Sequence, residues 1–248
     1  MARIITIVRT KNEEKRIELF CRQHDFSDLI LVADGGSDDD TVKLAKTFKN
    51  VIVRKFEKEI ELLSGYTRNP DWEHINFLIE WANEEKAEWI VMNDCDTNPN
   101  YLLKEDARKS MEESTCPYIR AVQIFLWRDS QYFPSLSRSR GNGAWWPGIW
   151  AWKSETQMRV FGEPPHFQFT LGNKKAADFN AKDCLDLLPP YCQIHANWIN
   201  EEETNKHVEM YRSSGLIRGM RHPTDFGGAP VKRDEWMRYE RLEKDDKS

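Results

Sequence analysis

EWIVMNDCDTNPN, residues 88–100, sets a short apolar run directly against two acidic residues. Trp89, Ile90, Val91 and Met92 make a continuous apolar segment of strand length. Bounded by polar turn residues, such a segment suits a strand buried on both faces of a parallel sheet. It stops at Asn93, and Asp94 and Asp96 follow at i and i+2. The carboxyl end of a buried strand is where an open α/β sheet binds its ligand. Paired carboxylates there can hold a hard divalent cation, which in turn can hold phosphate oxygens. The spacing alone is weak, since Asp38 and Asp40 repeat it. Its meaning comes from the strands around it.

Upstream, residues 4–8 (IITIV) read as a first buried strand, followed by the polar turn Arg9, Thr10, Lys11, Asn12, Glu13. Ile17, Leu19, Phe20 and Cys21 then give a helical face, with Asn12 as its candidate N-cap. Residues 29–33 form a second strand that ends in DGGSDDDT, residues 34–41, where glycines permit a sharp turn and a close ligand approach. Val42, Leu44, Ala45 and Phe48 mark a second helix, and residues 51–53 a third strand. This β-α-β-α-β order is a doubly wound parallel half. Residues 57–64 read as a loop or a short helix. Helices are expected over 69–86, with Pro70 near the start, and over 99–113. A long strand is expected over 118–127, an aromatic-rich stretch over 144–152, and irregular chain over 160–188 with Pro189-Pro190 as a breaker. Residues 201–212 look helical, and the tail from about residue 233 is charged.

The 248 residues fit one large domain or a domain with an extension. Hydrophobic residues make up 40% and charged residues 31%, with a net charge of −5. That balance argues against nucleic acid as a partner, because a protein held by phosphates needs a basic face. There is no apolar run of the roughly 18–20 residues that a transmembrane segment requires. The chain enters a strand almost at once, so no secretory leader is expected. Five cysteines without close pairing read as reduced thiols in a cytoplasmic protein. Trp145, Trp146, Trp150 and Trp152 offer flat faces that can stack on sugar rings or fill the core. Neighbours in a strand face opposite ways, so at most alternate members line one pocket.

Three strand ends thus bring Thr10, Asn12 and Glu13, then Asp34, then Asp94 and Asp96 to one carboxyl edge. Here IVRTKNEE, LILVADGGSDDDTVKLA and AEWIVMNDCDTNPN resemble the N-terminal half of family 2 glycosyltransferases of the GT-A fold, over roughly residues 3–100. The resemblance implies an α/β protein with a mostly parallel central sheet flanked by helices and a less regular acceptor-binding half. Residues 1–115 would bind the nucleotide sugar and 116–225 the acceptor, with 226–248 a charged tail. By resemblance, Thr10, Asn12 and Glu13 line the nucleotide pocket, and Asp34 reads the base. Asp94 touches ribose or metal, and Asp96 coordinates Mn2+ or Mg2+. His195, in QIHANW ahead of a Glu-rich segment with Lys206 and Tyr211, is similar to a late histidine ligand of the family. The usual acidic pair that supplies the general base is not recognisable. Asp183 is the first candidate and Glu163 the second, with Asp178 in the same interval.

These parts describe a metal-dependent glycosyltransferase that moves a sugar from a UDP- or GDP-sugar to the hydroxyl of a carbohydrate or other acceptor, with inversion. A haloacid-dehalogenase-like phosphatase also sets Asp-x-Asp after a buried strand. Its motif continues two residues beyond the second Asp, where this chain has Asn98. A nucleotidyltransferase would need a Gly-rich loop after the first strand, and residues 9–12 contain no glycine. A non-catalytic carbohydrate-binding relative would explain the tryptophans and the missing acidic pair.

Overall fold

The computed structural model describes residues 1–61, 67–127, 131–134, 148–161, 168–171, 174–175, 181–198 and 231–232. Its first half alternates strand and helix: β1 (Ile4–Thr10), α1 (Ile17–Gln23), β2 (Leu29–Asp34), α2 (Thr41–Ala45) and β3 (Val51–Lys55). Two short strands follow, β4 (Ile60–Glu61) paired antiparallel with β5 (Thr67–Arg68); of the stretch expected as a loop or short helix, residues 57–59 are without regular structure and 62–64 lie outside the described residues. Next come α3 (Asp71–Glu84), β6 (Trp89–Met92), β7 (Thr97–Pro99) and α4 (Tyr101–Glu113). The second half is built of strands: β8 (Tyr118–Trp127), β9 (Gln131–Pro134), β10 (Gly148–Lys153), β11 (Arg159–Phe161), β12 (Gln168–Leu171), β13 (Lys174–Lys175), β14 (Cys184–Trp198) and β15 (Val231–Lys232). The expected helix over 201–212 and the charged tail lie outside the described residues, apart from β15.

β6, β1, β2 and β3 lie side by side and parallel, as the β-branched apolar runs require. Alternate side chains go to opposite faces. Ile5, Ile7, Leu31 and Ala33 pack with Ile75, Leu78, Ile79 and Trp81 of α3. Val8, Ile30 and Val32 pack with Ile17, Phe20 and Ala45 from α1 and α2. Ile4, Trp89 and Val91 join Leu103, Ala107 and Met111 of α4. Arg108 of α4 donates to the carbonyls of Ala2 and Phe26 and to Asp28, pinning that helix across the starts of β1 and β2.

Beyond β6 the sheet continues through antiparallel β10 to β8. β14 runs parallel along β8 and pairs antiparallel with β7. Only residues 93–96 separate β6 from β7 in the chain, yet β10, β8 and β14 lie between them in the sheet. The sheet must therefore curl back on itself, and the Asp94-Cys95-Asp96 turn spans the closing gap. This curl brings β14 to the edge where β1 and β2 end.

Three expectations need correction here. Pro99 ends β7, and α4 begins at Tyr101, with Asn100 Oδ1 accepting from Leu103 N at 3.0 Å as its cap. The segment 184–198 is a single long strand, not irregular chain. Pro189 and Pro190 fall where the β8 register shifts, between Leu187 and Cys192, and an irregularity is where a sheet tolerates residues that cannot donate. Trp150 and Trp152 are both fully buried, one packed with Leu103 and Ala107 and the other with Leu78 and Ile79. The register irregularity between Ile149 and Ala151 sends these two residues of one strand to opposite faces, where both fill the core and neither offers a sugar platform. Trp145 and Trp146 lie outside the described residues.

Candidate active site

The site begins with the turn that closes β2. Asp34 stands level with Thr10 of β1, and its carboxylate is held from four directions. Oδ2 accepts from the N–H groups of Gly36 at 3.1 Å and Ser37 at 2.9 Å. Oδ1 accepts from the hydroxyls of Ser37 at 2.5 Å and Thr10 at 3.3 Å. A carboxylate has about four acceptor positions, so the turn itself saturates Asp34. Any base contact through this carboxylate would displace one of those donors. Gly36 has φ +89, which a side chain rarely adopts. Gly35 is required by closeness instead: a Cβ there would stand 1.9 Å from Asn69 Oδ1. Asn69 is buried and donates to the carbonyl of Lys58 at 2.8 Å, so it cannot simply swing away. Gly35→Ala is expected to cost about 1–3 kcal/mol by overpacking. Adding Asn69→Ser should restore much of that loss, as thermal or urea unfolding of the single and double variants would read.

The loops after β1 and β2 are braced against each other. Asn12 takes a left-handed conformation, φ 58, which asparagine tolerates. Its N–H donates to Ser37 Oγ at 2.9 Å, and its Oδ1 accepts from Asp38 N at 3.0 Å. Glu13 N donates to Thr41 Oγ1 at 2.7 Å, and Glu14 N to Asp39 Oδ2 at 3.1 Å. Asn12 therefore ties two loops together and caps no helix; α1 starts at Ile17 with Arg16 at its N-cap position. The Ser, Asp and Thr positions of residues 34–41 each have a structural partner.

Glu13, Asp94 and Asp96 gather at the carboxyl edge. Burial pushes the Glu13 carboxyl up to about 7; Arg16 opposes the rise, and the charges of Asp96 and Asp94 add to it. Burial also works against ionising Asp94, whose side chain is hemmed in by protein yet keeps 40% of its surface accessible. The Arg9 guanidinium, with help from His195 and His74, outweighs that burial and holds Asp94 below the usual carboxylate range. Arg9 Nε donates to Asp94 Oδ1 at 2.9 Å, and its Nη1 pairs with Asp71 at the start of α3.

Two buried histidines position the strand ends from below. His74 of α3 bonds the Ala33 carbonyl at 2.9 Å through Nε2 and stacks on Phe56, ring centroids 4.2 Å apart. His24 bonds the Phe20 carbonyl at 2.8 Å through Nδ1. A carbonyl only accepts, so Nδ1 carries the proton, and Nε2 accepts from the Asn93 amide at 2.9 Å. Asn93 immediately precedes Asp94. Neither histidine was legible as part of the site, because nothing in spacing or pattern distinguishes a buried positioning histidine.

His195 comes from β14. Its pairing opposite Thr97 sets Nε2 3.7 Å from Asp96 Oδ1. That is too long for a hydrogen bond. Two ligands of one cation, each at about 2.1 Å, stand about 3.0–3.6 Å apart at bond angles of 90–120°. The pair thus fits a shared divalent ion with little movement. Among the described residues, no three His, Cys, Asp or Glu side chains come together as they must to hold a metal unaided. Phosphate oxygens and water would have to complete the shell.

Asp183 does not join this group. Cys184 pairs with Tyr118 and His195 with Phe125, seven residues further along β8. At about 3.3 Å per residue the two levels are about 23 Å apart. Tyr118 stands level with Trp152, and Trp152 with Ile90 near the start of β6, so Asp183 lies at the opposite edge of the sheet from Asp96. Glu163 and Asp178 lie outside the described residues, as do Lys206 and Tyr211.

No helix among the described residues is long and apolar enough to cross a membrane. The sequence matches no protein-family model and no curated protein. The fold does find counterparts among solved structures. S. aureus TarS 1–349 superposes with a TM-score of 0.51 at 15% identity, over 90% of this chain and 68% of that one. The same fragment in complex with UDP-GlcNAc gives 0.50 at 14%, over 96% and 64%. Glucosyl-3-phosphoglycerate synthase from Mycobacterium tuberculosis, in complex with Mn2+, UDP and glucosyl-3-phosphoglycerate, gives 0.50 at 14%, over 88% and 82%. The chain spans about two thirds of the TarS fragment. At these identities the likeness speaks to architecture, and with the curled, mainly parallel sheet it gives the chain the fold of the nucleotide-diphospho-sugar transferases.

Proposed function

We propose that this protein is a metal-dependent glycosyltransferase that moves a sugar from a nucleoside-diphosphate donor to an acceptor hydroxyl, with inversion. One observation carries the reading: the curled sheet sets Asp96 and His195 3.7 Å apart at the edge where β1 and β2 present their braced loops. The nucleotide would lie along the loops of Thr10, Asn12 and Glu13 and the turn of Asp34, with ribose toward Asp94. Asp34 then acts chiefly by holding the turn. Asp96 and His195 would hold Mn2+ or Mg2+ against the diphosphate. When bound, the cation neutralises charge that grows on the departing diphosphate. The complexes of TarS with UDP-GlcNAc and of the synthase with Mn2+ and UDP favour a UDP-sugar as donor and manganese as the ion.

In the reaction the acceptor oxygen bonds to the anomeric carbon while the bond to the diphosphate breaks. A carboxylate takes the hydroxyl proton. Asp183 is too far away for that task, so Glu163, two residues beyond β11 in the chain, is the proposed base, with Asp178 of the same interval as its alternative. The test is turnover: a panel of UDP- and GDP-sugars is incubated with the protein and Mn2+, and released nucleoside diphosphate is measured. Release from one donor, abolished by chelator, is expected. Phosphate release from simple phosphomonoesters, with no donor consumed, would support the phosphatase alternative. Donor binding without turnover under any acceptor would favour a non-catalytic carbohydrate-binding relative.

A further inference from the structure

We infer that Lys11 and Glu59 read the base of the donor nucleotide, a task that the saturated carboxylate of Asp34 leaves open. The inference rests on the donor reading above and adds to it the residues that select the base.

β1, β2 and β3 are neighbours in the sheet, and Thr10, Asp34 and Lys55 stand level at their ends. Lys11 is the first residue past β1, and Glu59 lies four residues past β3. Lys11 Nζ nevertheless donates to Glu59 Oε1 at 3.0 Å. β1 and β3 are two strand spacings apart, about 10 Å, so the pair bridges the end of β2, where the turn of Asp34 begins. The segment that carries Glu59 is fixed against that turn. Asn69 donates to the Lys58 carbonyl at 2.8 Å, and its Oδ1 fills the space beside Gly35. Lys58 pairs with Glu73 of α3. Lys11 and Glu59 therefore face each other from the two loops that bracket the turn, on the edge along which the nucleotide would lie.

The two side chains are 36% and 47% exposed, so a ligand can reach both. An ion pair this open adds little to folding. Nor does the bridge use up either group. An ammonium has three donors and an ionised carboxylate about four acceptor positions, and the bridge engages one of each. A donor and an acceptor held side by side match the edge of a nucleobase. An oxo base, uracil or guanine, can turn its carbonyl oxygen to the ammonium and its ring N–H to the carboxylate. Cytosine or adenine in the same orientation would set an amino group against the ammonium and a bare ring nitrogen against the carboxylate. The pair thereby admits the oxo bases of the proposed UDP- or GDP-sugar and rejects their amino counterparts.

The test is calorimetric titration in Mn2+ of wild type, Glu59→Gln and the exchanged variant, Lys11→Glu with Glu59→Lys. The ligands are UDP, CDP, GDP, ADP and inorganic pyrophosphate. Wild type is expected to prefer UDP over CDP, or GDP over ADP, by about 10–100-fold, the range for hydrogen bonds to charged groups. UDP against GDP tells which oxo base the site takes. In Glu59→Gln the amide can turn either its oxygen or its nitrogen to the base, so that ratio should fall toward one while pyrophosphate binding stays unchanged. The exchanged variant keeps an ion pair but reverses donor and acceptor, and should favour the amino base. If the exchanged variant does not fold, Glu59→Gln decides. A merely structural bridge would leave the preference intact in both variants, or weaken nucleotides and pyrophosphate equally, and either result would overturn the inference. Wild type that binds nucleoside diphosphates without regard to base would overturn it too, and would leave the donor reading standing. Wild type that binds none of them would sink the donor reading and the inference together.

Discussion

Asp96→Ala is expected to lower sugar transfer about 10²–10³-fold, the range seen when one preorganised charge-stabilising group is lost. It should do so without destabilising the free protein. Asp96 shares the carboxyl edge with Glu13 and Asp94, and its charge is one of the causes that raise Glu13. Removing it relieves repulsion between like charges and breaks only a 3.2 Å contact with the Thr97 hydroxyl and the long approach of His195. The stabilisation that UDP and Mn2+ confer, about 2.7 kcal/mol at one hundred times the dissociation constant, should vanish with the side chain. Turnover assays and calorimetric melts with and without ligands would check both halves. A folded Asp96→Ala protein with full transfer activity would remove this residue from the mechanism.

The second large effect concerns acid. His24 and His74 are buried, and burial lowers each to about 4; backbone hydrogen bonds to Phe20 and Ala33 only partly offset it. In the unfolded chain both return to about 6.5. Between pH 6.5 and pH 4 the unfolded state therefore binds more protons than the folded one, and stability falls as pH falls. Each histidine contributes a loss of about 3 kcal/mol across that window. Glu13, raised to about 7 by burial, takes up its proton earlier in the folded state and offsets about one of the two, so the net fall is about that of a single histidine. His24→Gln keeps polar atoms near Phe20 and Asn93 but cannot titrate. Its unfolding free energy, measured in urea at intervals from pH 7 to pH 4.5, should fall less steeply than the wild type's by about 1.4 kcal/mol per pH unit, the slope of one proton. Parallel curves for the two proteins would mean that His24 is not held neutral. Because His24 supports Asn93, acid should also disorder the residues leading to Asp94 before global unfolding.

How much of this was readable beforehand follows from the kind of signal each element leaves. β1, β2, β3 and β6 are short β-branched or apolar runs closed by polar turns, and such runs announce parallel strands. The turn at 34–41 carried its own chemistry in Gly36, Ser37 and Thr41. β14 was hidden because Pro189-Pro190 reads as a break, and only the sheet shows that the prolines sit at a register shift. Asn12 looked like a helix cap because the residue types that cap helices also tie loops. Asp183 lies only twelve residues from His195 in the chain, but both occupy or adjoin one extended strand, so they are at opposite edges. Arg9 was passed over because a lone arginine in a turn has no pattern until the register sets it beside Asp94.

The measurement that bears most directly on the central claim is calorimetric titration of the wild-type protein with UDP, GDP and CMP, each with Mn2+ and with chelator. The expected result is that one nucleoside diphosphate binds, and at least about tenfold more tightly with Mn2+ present. Absence of binding by every nucleotide up to about 1 mM, with Mn2+ present, would contradict the proposal that this carboxyl edge holds a nucleotide-sugar donor.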